Sequence, residues 1–131
     1  MWVKGKPKNS FKVDEILKHK VQGQVQAIID KYFSPNIVTP PKGNKYNYIS
    51  GIYLKWYRNY LYFISKYECP GPNAISPSFE TKFTRIECQG HNSFNLSYMR
   101  HTGSWQEVYR ELGLEETMQT IIEEILFHPL M

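Results

Sequence analysis

Between Ile52 and Lys66 the chain alternates on both sides of a two-residue break. Ile52, Leu54 and Trp56 interleave with Tyr53, Lys55 and Tyr57, then comes Arg58-Asn59, and then Leu61, Phe63 and Ser65 interleave with Tyr62, Ile64 and Lys66. A period of two sends successive side chains to opposite faces of an extended backbone, and two such runs joined by two residues make a tight antiparallel hairpin. Asn59 is expected to take the positive φ at the turn, because its short polar side chain tolerates the left-handed region. The rest of the chain has to be built around this hairpin.

Upstream, Val13, Ile16, Leu17, Val21, Val25, Ile28, Ile29 and Phe33 recur at spacings of three and four, the signature of one helix face. Ser10 or Asn9 is the expected cap, and Gly23 is expected to weaken the helix or split it. Ser34-Pro35-Asn36 ends it, and NIVTPPKGNK reads as a crossing loop. Downstream, residues 79–88 read as a weaker strand with Phe79, Phe83 and Ile86. Phe94, Leu96 and Tyr98 alternate with Ser93, Asn95 and Ser97 as a one-sided strand, and Trp105 to Tyr109 adds a short edge strand. A last helix places Leu114, Met118, Ile121, Ile122 and Ile125 on one face, has Glu115 and Glu116 in its first turn, and stops at His128-Pro129. The expected fold is therefore α+β: an N-terminal helix, a four- to five-stranded antiparallel meander and a C-terminal helix, with both helices on one face. Residues 1–10 are read as a basic arm and residues 11–131 as a single domain.

At 131 residues the chain is long enough for a hydrophobic core that needs neither metal nor disulfide. Its two cysteines are too few for a disulfide scaffold and suit a reducing, cytoplasmic setting. There is no apolar run of membrane-spanning length, so no membrane partner is expected. Charge is unevenly spread. Residues 1–20 hold six Lys against Asp14 and Glu15, residues 31–100 hold nine Lys and Arg against three Glu, and residues 107–131 hold six Glu against Arg110. A basic sheet could attract nucleic acid, and it could equally attract its own acidic terminal helix.

No motif specifies an activity. Cys69, Cys88, His91 and His101 include a Cys-x-x-His spacing. Pairing 60–69 with 79–88, however, puts the two thiols at opposite ends of the hairpin, roughly 30 Å apart at ~3.3 Å per residue. That separation excludes a shared zinc site and a disulfide. Neither cofactor nor metal is expected. The same pairing brings His101 toward the Cys69 end, which keeps a Cys–His hydrolase as a third reading. The glutamates of the last helix fall opposite its isoleucines, where a solvated face belongs. There is no phosphate-cradling glycine motif and no nucleophile elbow.

Ten tyrosines are the compositional oddity. Tyr53, Lys55 and Tyr57 on the first strand, and Tyr60, Tyr62 and Lys66 on the second, form a candidate interaction face of rings beside ammonium groups. Such a face can contact a second copy of the chain, and a homo-oligomer is the expected partner. It can also stack bases and neutralise phosphates, with the lysine-rich arm assisting. A third possibility is that the rings simply stabilise the hairpin as cross-strand pairs.

The aromatic hairpin WYRNYLYF, the loop CPGPNAISPSFE, the run FNLSYMRHTGSW and a terminal helix finishing in FHP resemble a family of small bacterial, cyanobacterial proteins classed as a domain of unknown function. The resemblance covers residues 56–129. It implies a helix, sheet, helix layout and brings no activity, cofactor or catalytic residue.

The nine residues Pro70 to Ser78 exceed the two to five usual in a hairpin loop, and long loops often carry function. Pro70, Gly71, Pro72 and Asn73, with Arg100, His101 and Trp105 at the same end of the sheet, are the candidate binding loop. The competing reading has Trp105 packed as a plug under a rigid, proline-stiffened loop. The expected function is a non-catalytic interaction domain that associates with itself through its sheet.

Overall fold

The structure is a computed structural model that describes residues 11–130. The basic arm of residues 1–10 lies outside the described residues.

The first helix, α1, spans Glu15–Ile28 and runs on through a wider π turn, Ile29–Phe33, and a 3-10 turn, Ser34–Asn36. Its cap is Asp14, whose carboxylate accepts from the Leu17 amide at 2.8 Å, and not Ser10 or Asn9. Gly23 does not split the helix, and nothing approaches within 4 Å of the place a Cβ would occupy there. Leu17, Val21, Val25, Ile28, Ile29 and Phe33 are buried as their spacing requires. Ile16 belongs to the same sequence pattern but is 82% exposed.

Five strands follow: β1 Tyr48–Tyr57, β2 Tyr60–Glu68, β3 Ser78–Gly90, β4 Ser93–Met99 and β5 Trp105–Leu112. They form one antiparallel sheet in the order β1-β2-β3-β4-β5. The β1–β2 turn is the two-residue type expected, with the roles inside it exchanged: Arg58 takes the positive φ, at 53°, and Asn59 does not. The segment read as the weaker strand is the longest, at 13 residues. Its alternation is hidden by a bulge. Phe63 pairs with Thr84 and Ile64 with Lys82, which leaves Phe83 as the extra residue. Phe83 then meets Phe33 and Phe63 edge-on beside Thr84, whose hydroxyl is buried on the same side.

β5 extends three residues beyond the expected Tyr109 and is bent twice against β4. β4 is not one-sided in burial: Phe94, Asn95, Leu96 and Ser97 are all buried. Asn95 is tolerated there because its amide is paired at both ends, donating to Glu87 at 3.2 Å and accepting from the Glu111 amide at 2.9 Å.

The second helix, α2, covers Leu114–Glu123. It ends earlier than His128-Pro129, and a 3-10 turn at Ile125–Phe127 takes its place. Ile125 thereby leaves the apolar face it was expected to share and is 84% exposed, while Phe127 is driven fully inside. Both helices lie on one face of the sheet, where α1 and α2 close over Leu61, Phe63, Ile86, Cys88, Phe94 and Leu96. Each fully buried Phe or Leu of this cluster contributes about 1.5–3 kcal/mol by leaving water.

Candidate functional site

The face of the sheet away from the helices has no covering element among the described residues. By register it presents Tyr53, Lys55 and Tyr57 from β1, Tyr60, Tyr62, Lys66 and Glu68 from β2, Glu80, Lys82, Arg85 and Glu87 from β3, and Trp105 and Glu107 from β5, with Ile64 buried beneath these side chains. The six residues of the expected interaction face thus stand on one surface.

Its centre is a residue the sequence pattern did not single out. The Arg85 guanidinium lies over Tyr60 at 4.7 Å and over Trp105 at 4.6 Å. Tyr60 stacks on Tyr62 at 5.9 Å, Tyr62 contacts Trp105 at 5.7 Å, and the Lys82 ammonium sits 4.5 Å over Tyr62. Each cation is attracted to the negative face of a ring, and the attraction strengthens as water is excluded. Arg85 Nε is buried with no hydrogen-bond partner, so the rings take the place of polar partners for that edge of the guanidinium. Burial first, and then the charge of Glu87, raise the Tyr60 hydroxyl above its ordinary pKa of 10.0, so the ring is neutral at physiological pH. Arg85 was missed because it lies in the strand whose alternation the bulge disguises.

The candidate binding loop is not one site. Residues 69–77 leave the β2–β3 end, closed by the Cys69 amide donating to the Pro77 carbonyl at 2.8 Å. Gly71 packs so closely that a Cβ would stand 3.0 Å from the Lys45 carbonyl oxygen, so the loop leans on the 37–47 connection. β3 pairs with β4 only from Thr84 onward, whereas β2 already pairs with β3 at Ser78. The Arg100–Ser104 turn therefore stands well back from Pro70, Gly71, Pro72 and Asn73. Trp105 points to the uncovered face beside Arg85 and is not a plug under the loop. Arg100 and His101 line a separate cavity with Tyr67, Phe83, Tyr98 and the C-terminal segment.

The thiols lie at opposite ends of the hairpin, Cys69 facing Pro77 and Cys88 donating its amide to Asn59. Continuing β4 straight through its turn would set His101 opposite Thr81, four residues short of Pro77, about 13 Å along the strands from Cys69. No hydrogen bond spans that distance. Cys88 is fully buried, and desolvation, followed by the charge of Glu87, raises its thiol from 9.0 to about 12. Such a thiol stays protonated and is not a nucleophile at neutral pH. Among the described residues no cluster of three or more His, Cys, Asp or Glu is arranged to hold a metal ion, and no helix is long and apolar enough to cross a membrane.

These features define an α+β domain of five antiparallel strands with an aromatic, cation-rich cluster on its open face. The chain belongs to the family described as a domain of unknown function, DUF3024, whose match spans residues 9–129. The family therefore reaches beyond the residues 56–129 that carried the resemblance and takes in α1. No curated protein and no solved structure matches the chain.

Proposed function

We propose that this domain is a non-catalytic interaction module that pairs with a second copy of itself through the open face of its sheet. The observation that carries this reading is the charge pattern around Arg85. Lys55, Lys66, Lys82 and Arg85 share the face with Glu68, Glu80, Glu87 and Glu107, four cations with four carboxylates. A balanced, interspersed pattern is suited to meeting its own twofold image, because each patch finds its complement on the partner.

Size supports the reading as well. Five strands at ~4.8 Å spacing and ~25 Å length present about 600 Å² per copy, or about 1,200 Å² buried in total, at the lower end of specific interfaces. Tyr57, 56% exposed with Arg58 over its ring at 5.3 Å, and Tyr53 supply aromatic contact area at the β1 edge.

Nucleic acid is the second reading, favoured by the cations beside tyrosines. Two features weigh against it: the rings of Tyr60, Tyr62 and Trp105 are engaged with one another and with Arg85, so few faces are free for bases, and the four carboxylates would repel phosphates. A Cys69–His101 hydrolase has no supporting geometry.

Sedimentation equilibrium tests the proposal. The mass should rise toward twice the monomer value as concentration increases, and Tyr57→Asp should hold the protein monomeric. A monomer mass for the unaltered chain up to about 1 mM, where a contact worth about 4 kcal/mol would show, refutes self-association. Salt-sensitive binding of labelled oligonucleotides by a protein that stays monomeric would favour the second reading.

A further inference from the structure

A cavity of about 600 Å³ opens at the end of the sheet where the C-terminal segment crosses it. Its volume is within the about 300–1,000 Å³ typical of small-molecule sites. Tyr67, Phe83 and Tyr98 form one wall, and Ile125, Leu126 and Leu130 form the other. We infer that this cavity binds a small monocarboxylate with an apolar body, the carboxylate at Arg100 and His101 and the body between the two walls.

Three observations carry this. The charged and titratable groups available to the cavity are Arg100, His101, His128 and the Tyr67 and Tyr98 hydroxyls, with no Asp or Glu in its lining; Lys82 borders it, but its ammonium is held over Tyr62. An anion is therefore favoured over a cation at the mouth. Among the described residues the Arg100 and His101 side chains form no hydrogen bond or ion pair, so their donors are free to bind a ligand. His128 is committed differently: its Nε2 contacts the Ile121 carbonyl at 2.7 Å and its ring packs on Phe33 at 4.8 Å, which fixes it as wall.

The second observation is exposed apolar area where a folded chain has reason to avoid it. Ile125 and Leu130 are 84% and 85% exposed, and both face this cavity. The third is that their wall is pinned in place. Thr84 Oγ1 donates to the Phe127 carbonyl at 2.9 Å and the Tyr67 hydroxyl donates to the Leu130 carbonyl at 2.6 Å. A preformed wall spares a ligand the cost of ordering it. The cavity is distinct from the Arg85 cluster, so its test stands or falls independently of self-association.

Titration calorimetry at about pH 7 with octanoate, 1-octanol and octylamine tests the inference on the full chain. Octanoate should bind one per chain with a dissociation constant of about 1 mM or below, and about tenfold or more tighter than the alcohol or the amine. Arg100→Gln combined with His101→Gln should bring octanoate down to the level of octanol while leaving octanol unchanged. Ile125→Glu, at an exposed position that the fold tolerates, should abolish octanoate binding and leave the unfolding midpoint near that of the unaltered protein. Absence of octanoate binding, equal binding of the three head groups, several sites per chain, or insensitivity to both variants would each overturn the inference.

Discussion

The side chain of Asn59, at the tip of the β1–β2 hairpin, holds the entry to α1 through both ends of its amide. Its Oδ1 accepts from the Val13 amide at 3.0 Å, and its Nδ2 donates to the Phe11 carbonyl at 2.8 Å. The residue that looked like turn chemistry joins two elements 46 positions apart. Arg58 takes the strained dihedral in its place.

Asn59→Ala should therefore cost about 1–3 kcal/mol, because it removes both hydrogen bonds that tie the partly buried backbone at Phe11 and Val13 to the hairpin. Asn59→Asp keeps the acceptor for Val13 and loses the donor to Phe11, so its unfolding midpoint in urea should fall between those of the unaltered protein and Asn59→Ala. Equal midpoints for all three chains would show that water replaces both bonds.

Gly113 precedes α2 and has no side chain to cap it. Asn92, in the β3–β4 turn, accepts from the Leu114 amide at 2.8 Å instead. Asn92→Ala should destabilise the domain by about 1 kcal/mol, the usual loss on removing a cap. Hydrogen exchange should report the loss as faster exchange of the Leu114 amide.

Glu111 is exposed and has a φ of 56°, in the left-handed region that disfavours side chains. Glu111→Gly removes a cost of about 1–2 kcal/mol and adds about 0.5–1 kcal/mol of backbone entropy, so a net gain of about 0.5–1 kcal/mol is expected. Denaturant unfolding measures it directly.

The Cys88 thiol, raised from 9.0 to about 12, makes stability depend on pH in the alkaline range. Above pH 9 the unfolded chain releases this proton while the folded chain keeps it, so the unfolded state gains. The contribution is fully present below pH 9 and is lost as pH rises toward 12. Tyr60 and Tyr109 are raised from 10.0 and add to the loss above that pH, the first chiefly by burial and the second chiefly by the hydrogen bond from Tyr109 to Glu124. Cys88→Ala should lower stability at neutral pH by opening a small cavity, yet flatten the slope between pH 9 and 10. An unchanged slope would place the effect elsewhere. In the folded protein a thiol reagent at pH 8 should modify Cys69 and spare Cys88.

The hairpin, the strand positions and the apolar faces of both helices were legible from residue order, because periods of 2 and 3.6 are local properties of the backbone. Tyr53, Lys55, Tyr57, Tyr60, Tyr62 and Lys66 could be set on one surface for the same reason. Three things depended on contacts between distant segments. The bulge that turns Phe83 and Thr84 inward has no local signature, and one extra residue reassigns faces along the rest of the strand. Asn59 could be spared the positive φ only because α1 begins where its amide can reach. Residue order groups Trp105 with the 69–77 loop, but its pairing with Met99 turns it toward Arg85 and away from that loop. Residue order specified which side chains alternate, and the register among five strands decided which of them meet.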